Sequence, residues 1–98
     1  MNTANLQLEG VYLAIAATLS LLREKGLISE EEIDSALAGA EVKATFDPDR
    51  PAELSPAHVD AICFPLRLLR LANRAHAQGR QPAFTELATR VGETKPGH

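Results

Sequence analysis

The chain has no tryptophan, one tyrosine and three phenylalanines in 98 residues. A core with so little aromatic bulk must be filled by Leu, Ala, Ile and Val, which favours close-packed helices over a sheet. There is one cysteine, Cys63, so an intrachain disulfide is excluded. A lone cysteine and no recognisable targeting segment lead us to expect a reducing cytoplasm. No glycine-rich loop is present to hold phosphate. No second Cys or His pair completes a four-ligand metal site. No cofactor is therefore expected. Arg outnumbers Lys and Ala is abundant, a composition that suggests a GC-rich bacterial source.

Charge is missing from one long stretch. From Gly10 to Leu22 no residue is charged, and the polar side chains are Tyr12, Thr18 and Ser20. Leu8, Tyr12, Ile15, Leu19 and Leu22 recur at alternating steps of four and three, one stripe of a helix. Leu13, Ala14, Ala16, Ala17 and Leu21 make the other side apolar as well. Such a helix must be buried on most sides. The run reads as too short for a membrane span, which needs roughly 18 apolar residues. No basic region precedes it, so it is not read as a signal peptide.

The stop and restart after this helix are fully spelled. Arg23 and Lys25 suit the negative end of the helix dipole. Gly26 fits the left-handed position beyond the helix end. Leu27 and Ile28 should plug the turn, and Ser29 with Glu32 forms a capping box. Ile33, Ala36, Leu37 and Ala40 give the second helix an inward face. Leu21–Ile33 resembles the turn of short C-terminal domain (SHOCT) helical hairpins: leucine-rich helix, glycine, apolar pair, serine, then acids. The likeness covers about a seventh of the chain and implies an antiparallel helical hairpin. Here the hairpin is N-terminal and more chain follows it. The same spelling arises wherever glycine stops a helix and a capping box restarts one, so no functional residue is carried over.

Beyond the hairpin, Asp47-Pro48-Asp49-Arg50-Pro51 cannot continue a helix. Val42, Ala44 and Phe46 are expected to form a short extended piece with Phe46 pinned inside; a mobile loop with Phe46 half exposed is the alternative. Ser55 as N-cap and Pro56 at the first helical position open a third helix. Val59, Ile62, Leu66 and Leu69 form one stripe of it, and Phe64, Leu68 and Leu71 a second. Pro65 lies inside and should kink or break it near Ile62 to Phe64. Asn73 continues the first stripe, either as a buried residue that sets register or as a partly exposed helix-end residue. Phe84, Leu87 and Val91 mark a short last helix ended by Gly92, and a polar tail follows. The expected fold is all-α: one domain, a bundle of four helices, or five if Pro65 breaks the third. The expected ranges are 5–25, 29–41, 55–78 and 82–91, with a connector at 42–54 and a tail at 92–98.

Candidate chemistry is thin. His58, Asp60 and Cys63 are possible ligands, but His58 and Cys63 lie five apart, on different helix faces. Cys63 sits in an Ile-Cys-Phe context that argues for burial rather than nucleophilic work. His76 lies near a helix end, where an imidazolium would suit the dipole. Asp47, Asp49 and Glu53 lack calcium-loop spacing. Phe84–Gly92 resembles the opening helix and turn glycine of helix-turn-helix DNA-binding domains, but Glu93–His98 is too short for a recognition helix.

Charge is also segregated. Residues 1–53 hold four basic and ten acidic residues; residues 54–98 hold six and three. Arg67, Arg70 and Arg74 share a helix face. They either offset the acidic hairpin within the fold or bind an anion, nucleic acid or acidic partner. Net negative charge and the absence of interleaved aromatics weigh against nucleic acid. The favoured expectation is a non-enzymatic interaction module, a homodimer docking through Leu8, Tyr12, Ile15 and Leu19, with no membrane role. The Arg67, Arg70 and Arg74 face is second. An enzyme is last, because no nucleophile, base and acid set can be assembled.

Overall fold

The structure, a computed structural model, describes residues 3–49 and 56–93. Among them are four helices and no strand: α1 (Thr3–Glu24), α2 (Glu30–Thr45), α3 (Pro56–Ala77) and α4 (Phe84–Glu93). The connector beyond Asp49, the Ser55 cap and the tail beyond Glu93 lie outside the described residues.

The turn between α1 and α2 forms as its sequence dictates. Gly26 takes φ 71, the left-handed region. Its N–H donates to the Arg23 carbonyl at 3.0 Å, and the Leu27 N–H donates to the Leu22 carbonyl at 3.1 Å. This paired closure uses two carbonyls that the helix end leaves free. The Glu32 N–H donates to Ser29 Oγ at 3.0 Å and the Ser29 N–H to Glu32 Oε1 at 2.8 Å. Leu27, however, is not a plug: it stands 67% exposed, and Ile28 is half-buried.

Several boundaries differ from expectation: α1 begins earlier, at Thr3, α4 later, at Phe84, and two helices run on past their expected ends. α2 runs on through Thr45, so Val42 and Ala44 are helical and no extended piece exists. Nothing in residues 42–45 breaks a helix, and the Thr45 hydroxyl donates back to the Glu41 carbonyl at 2.8 Å. Phe46 becomes the C-cap and is 75% exposed rather than pinned. The break comes at Asp47, whose Oδ1 accepts the Asp49 N–H at 2.9 Å. α4 likewise passes through Gly92 to Glu93. Glycine stops a helix when it turns left-handed, and among the described residues Gly26 and Gly79 do so. Gly79 closes α3: its N–H donates to the His76 carbonyl, and the Arg80 N–H donates to the Ala75 carbonyl.

α3 is the spine. It is one helix with Pro65 inside it, not two. α2 packs on it most extensively, and α1 and α4 less so. α1 and α2, though joined by the tight turn, scarcely touch each other; each leans on α3. The core is Tyr12, Leu68, Leu69, Ala72, Leu87 and Val91. Each large side chain buried this way contributes about 1.5–3 kcal/mol before entropy is counted. Ile33 of α2 is buried, and Cys63 is fully enclosed, its Sγ 3.4 Å from Thr45 Oγ1.

One residue ties the corner together. Asn73 is 3% exposed. Its Oδ1 accepts Arg23 Nη1 at 2.8 Å, and its Nδ2 donates to the Glu30 carbonyl at 3.1 Å. The end of α1 and the start of α2 are both held to α3 through this amide.

Candidate interaction surface

α1 meets the rest of the molecule along a narrow ridge. Tyr12 is buried to 9% exposure, and its ring lies 5.4 Å, centroid to centroid, from that of Phe84. Burial pushes its phenol above the ordinary value. Ala16 packs on the same core, and Leu19, Ser20 and Arg23 are half-buried. Ser20 Oγ lies 3.3 Å from His76 Nδ1 and accepts Arg23 Nη2 at 3.4 Å. Desolvation, helped by the Arg23 charge, pushes the His76 imidazole below its usual value. The His76 ring thus sits at the α1–α3 contact, where burial and the Arg23 charge disfavour its charged form.

The rest of α1 faces outward. Leu6, Leu8, Val11, Leu13 and Leu21 are each more than half exposed, and Ile15 is 39% exposed. Gly10, Ala14, Ala17 and Thr18 lie exposed between them. The Thr18 hydroxyl donates to the Ala14 carbonyl at 2.8 Å, so the one polar side chain in that set is satisfied by its own helix. By length and composition Leu6–Glu24 is long and apolar enough to cross a membrane, so length alone does not exclude a span. Its uncharged part, Gly10 to Leu22, rises about 20 Å, less than the ~30 Å hydrocarbon core.

The four expected interface residues therefore part company. Leu8 and Ile15 are exposed, Leu19 is half-buried, and Tyr12 is spent on the internal core. Leu6, Val11, Leu13 and Leu21, outside that set of four, are exposed as well. A helix apolar all round does not say which side turns inward. The usable signal was polar: Tyr12, Ser20 and Arg23 fall on one side, and that side is the one with hydrogen-bond partners.

Grooves flank the ridge. One of about 700 Å³ lies between α1, α3 and α4, walled by Leu8, Tyr12, Phe64, Phe84 and Val91. Another of about 500 Å³ is walled by Leu13, Ala17 and Leu21 on one side and Leu69, Phe84 and Leu87 on the other.

The arginine face is largely occupied from within. Arg67 Nε donates to Glu41 Oε2 at 2.8 Å, and its Nη1 lies 3.8 Å from Asp60 Oδ1. Arg70 grips Asp34 through two bonds of 2.9 and 3.2 Å and reaches Glu41 Oε1 at 3.4 Å. The hydrogen bond from Arg70 holds the Asp34 carboxyl below the usual value. The α2–α3 contact thus pairs the acidic half of the chain with the basic half, and Arg74 is left exposed. His58 is exposed while Cys63 is enclosed, and among the described residues no three His, Cys, Asp or Glu side chains gather as a metal site would need. No protein-family model, curated protein or solved structure matches this chain.

Proposed function

We propose that this chain is a small non-enzymatic helical module that works by self-association through α1. The observation that carries the reading is the outward side of α1: an uncharged run from Gly10 to Leu22 with Val11, Leu13 and Leu21 more than half exposed. Water-facing apolar surface of that extent on a small chain marks a docking face. A cytoplasmic setting fits a single enclosed cysteine. The alternative, an anion or nucleic-acid binder using Arg67, Arg70 and Arg74, is weakened because Arg67 and Arg70 are already held by Glu41 and Asp34.

The test is solution mass by light scattering at high micromolar concentration, on wild type and on the Leu13→Glu/Ile15→Glu double variant. The reading expects a wild-type dimer and a variant that is monomeric with unchanged helical circular dichroism. A wild-type monomer would overturn it.

A further inference from the structure

We propose that the groove of about 700 Å³ between α1, α3 and α4 binds an uncharged aromatic small molecule whose carbonyl accepts a hydrogen bond from Tyr12. This goes beyond self-association and does not rest on it. Tyr12 is 9% exposed, yet its hydroxyl has no hydrogen-bond partner among the described residues. A tyrosine buried this far normally finds one. Among the described residues no fully sealed side-chain oxygen or nitrogen goes without a partner. The Tyr12 oxygen is therefore not sealed, and it opens onto one of the two grooves that Tyr12 lines. Burial holds the phenol above its ordinary value, so near neutral pH it keeps the proton that it would donate.

The walls choose between the grooves and say what would carry the carbonyl. Three of the chain's four aromatic side chains, Tyr12, Phe64 and Phe84, line the larger groove. The smaller one shares Tyr12 and Phe84 but lacks Phe64. Tyr12 and Phe84 already meet at 5.4 Å between ring centroids. Rings set in this way accept a further ring, offset or edge to face. The charged residues on the larger wall are Asp60 and Arg67, of opposite sign and 3.8 Å apart. Their charges cancel, so the wall offers nothing to offset the cost of burying an ion. The volume also suits such a guest: small-molecule sites span roughly 300–1,000 Å³ and are apolar with a few placed polar groups.

The probe is prodan, an uncharged naphthalene ketone whose emission moves to the red when its carbonyl accepts a hydrogen bond. Tyr12 is the only tyrosine and the chain has no tryptophan, so quenching of the protein's emission during titration reads the probe at Tyr12 itself. The expected result is saturable binding of one probe per chain. Ala61→Phe fills the groove from an exposed position on α3. It should weaken binding roughly tenfold or more, with helical circular dichroism kept. Tyr12→Phe should weaken binding about threefold to tenfold and move the bound probe's emission to the blue. It should leave Tm unchanged, because the hydroxyl holds nothing in the protein. The Leu13→Glu/Ile15→Glu variant should bind as wild type does, whether or not wild type is a dimer. No saturable binding, or binding that either Ala61→Phe or Tyr12→Phe leaves unchanged, would overturn the site. Binding lost in Leu13→Glu/Ile15→Glu would put the probe on the outward side of α1 or in the smaller groove, and would end the proposal as surely. Anilinonaphthalene sulfonate, an anion of similar size, should bind roughly tenfold more weakly or less. Equal affinity for the two probes would overturn the choice of an uncharged guest.

Discussion

At the scale of single residues, Asn73 matters most. Its amide satisfies Arg23 of α1 and the Glu30 carbonyl at the start of α2, and it is 3% exposed. Asn73→Leu would strand both groups, so a loss of about 1–3 kcal/mol in urea unfolding is expected. A change of a few tenths would mean that water replaces the amide at no cost. In the sequence, Asn73 stands open between a buried residue that sets register and a partly exposed helix-end residue. Periodicity gives a residue's side of a helix, not its depth, and depth came from two helix ends distant in sequence meeting at that point. Phe46 shows the reverse. Its bulk suggested burial, but its position follows from the absence of any breaker before Asp47, which leaves it capping α2 in water.

At the scale of elements, local spelling was a good guide to the turn between α1 and α2, missed the ends of α2 and α4, and was a poor guide to faces. Left-handed Gly26 and the capping box lay where their residues said, because a few neighbouring bonds decide them. The outward side of α1 was not legible, because leucines all round a helix carry no angular preference. The contact that orients α1 should respond to acid. The His76 imidazole sits below its usual value of 6.5 through burial and the nearby Arg23 charge, with Glu24 on the wall of the same groove. Depression of a base means the folded state binds its proton less well than the unfolded state. His76 therefore costs nothing above about pH 6.5 and costs stability as pH falls below it. Asp34, depressed by Arg70, adds a second loss once pH falls below its ordinary 3.8. Thermal melts from pH 7.5 to 5 should show a falling Tm in wild type and a flatter profile in His76→Gln. Equal slopes would mean that His76 titrates freely.

At the scale of the whole molecule, the chain is built outward from one helix. Its radius of gyration is 14.2 Å, somewhat above the ~13 Å typical of a compact 100-residue domain. The excess agrees with a first helix that touches the others along one ridge. If the folded form pairs, Tm should rise with protein concentration, because mass action favours whatever binds only the native state. Calorimetry at two concentrations tenfold apart checks this, and a constant Tm would show that pairing adds nothing to stability. The all-helical class was readable from a composition poor in aromatics, whereas the divergence of α1 from α2 was not: it depends on α3, more than 30 residues further on, offering surface to both. The exposed Thr18 hydroxyl already donates to its own helix, so from Gly10 to Leu21 the outward side of α1 offers a visitor few directional bonds. Selectivity there comes mainly from contour, from where the leucines stand and where the gaps between them fall. Exchanging one apolar residue for another on α1 should then redirect which helices it accepts, while leaving the fold of the monomer unchanged.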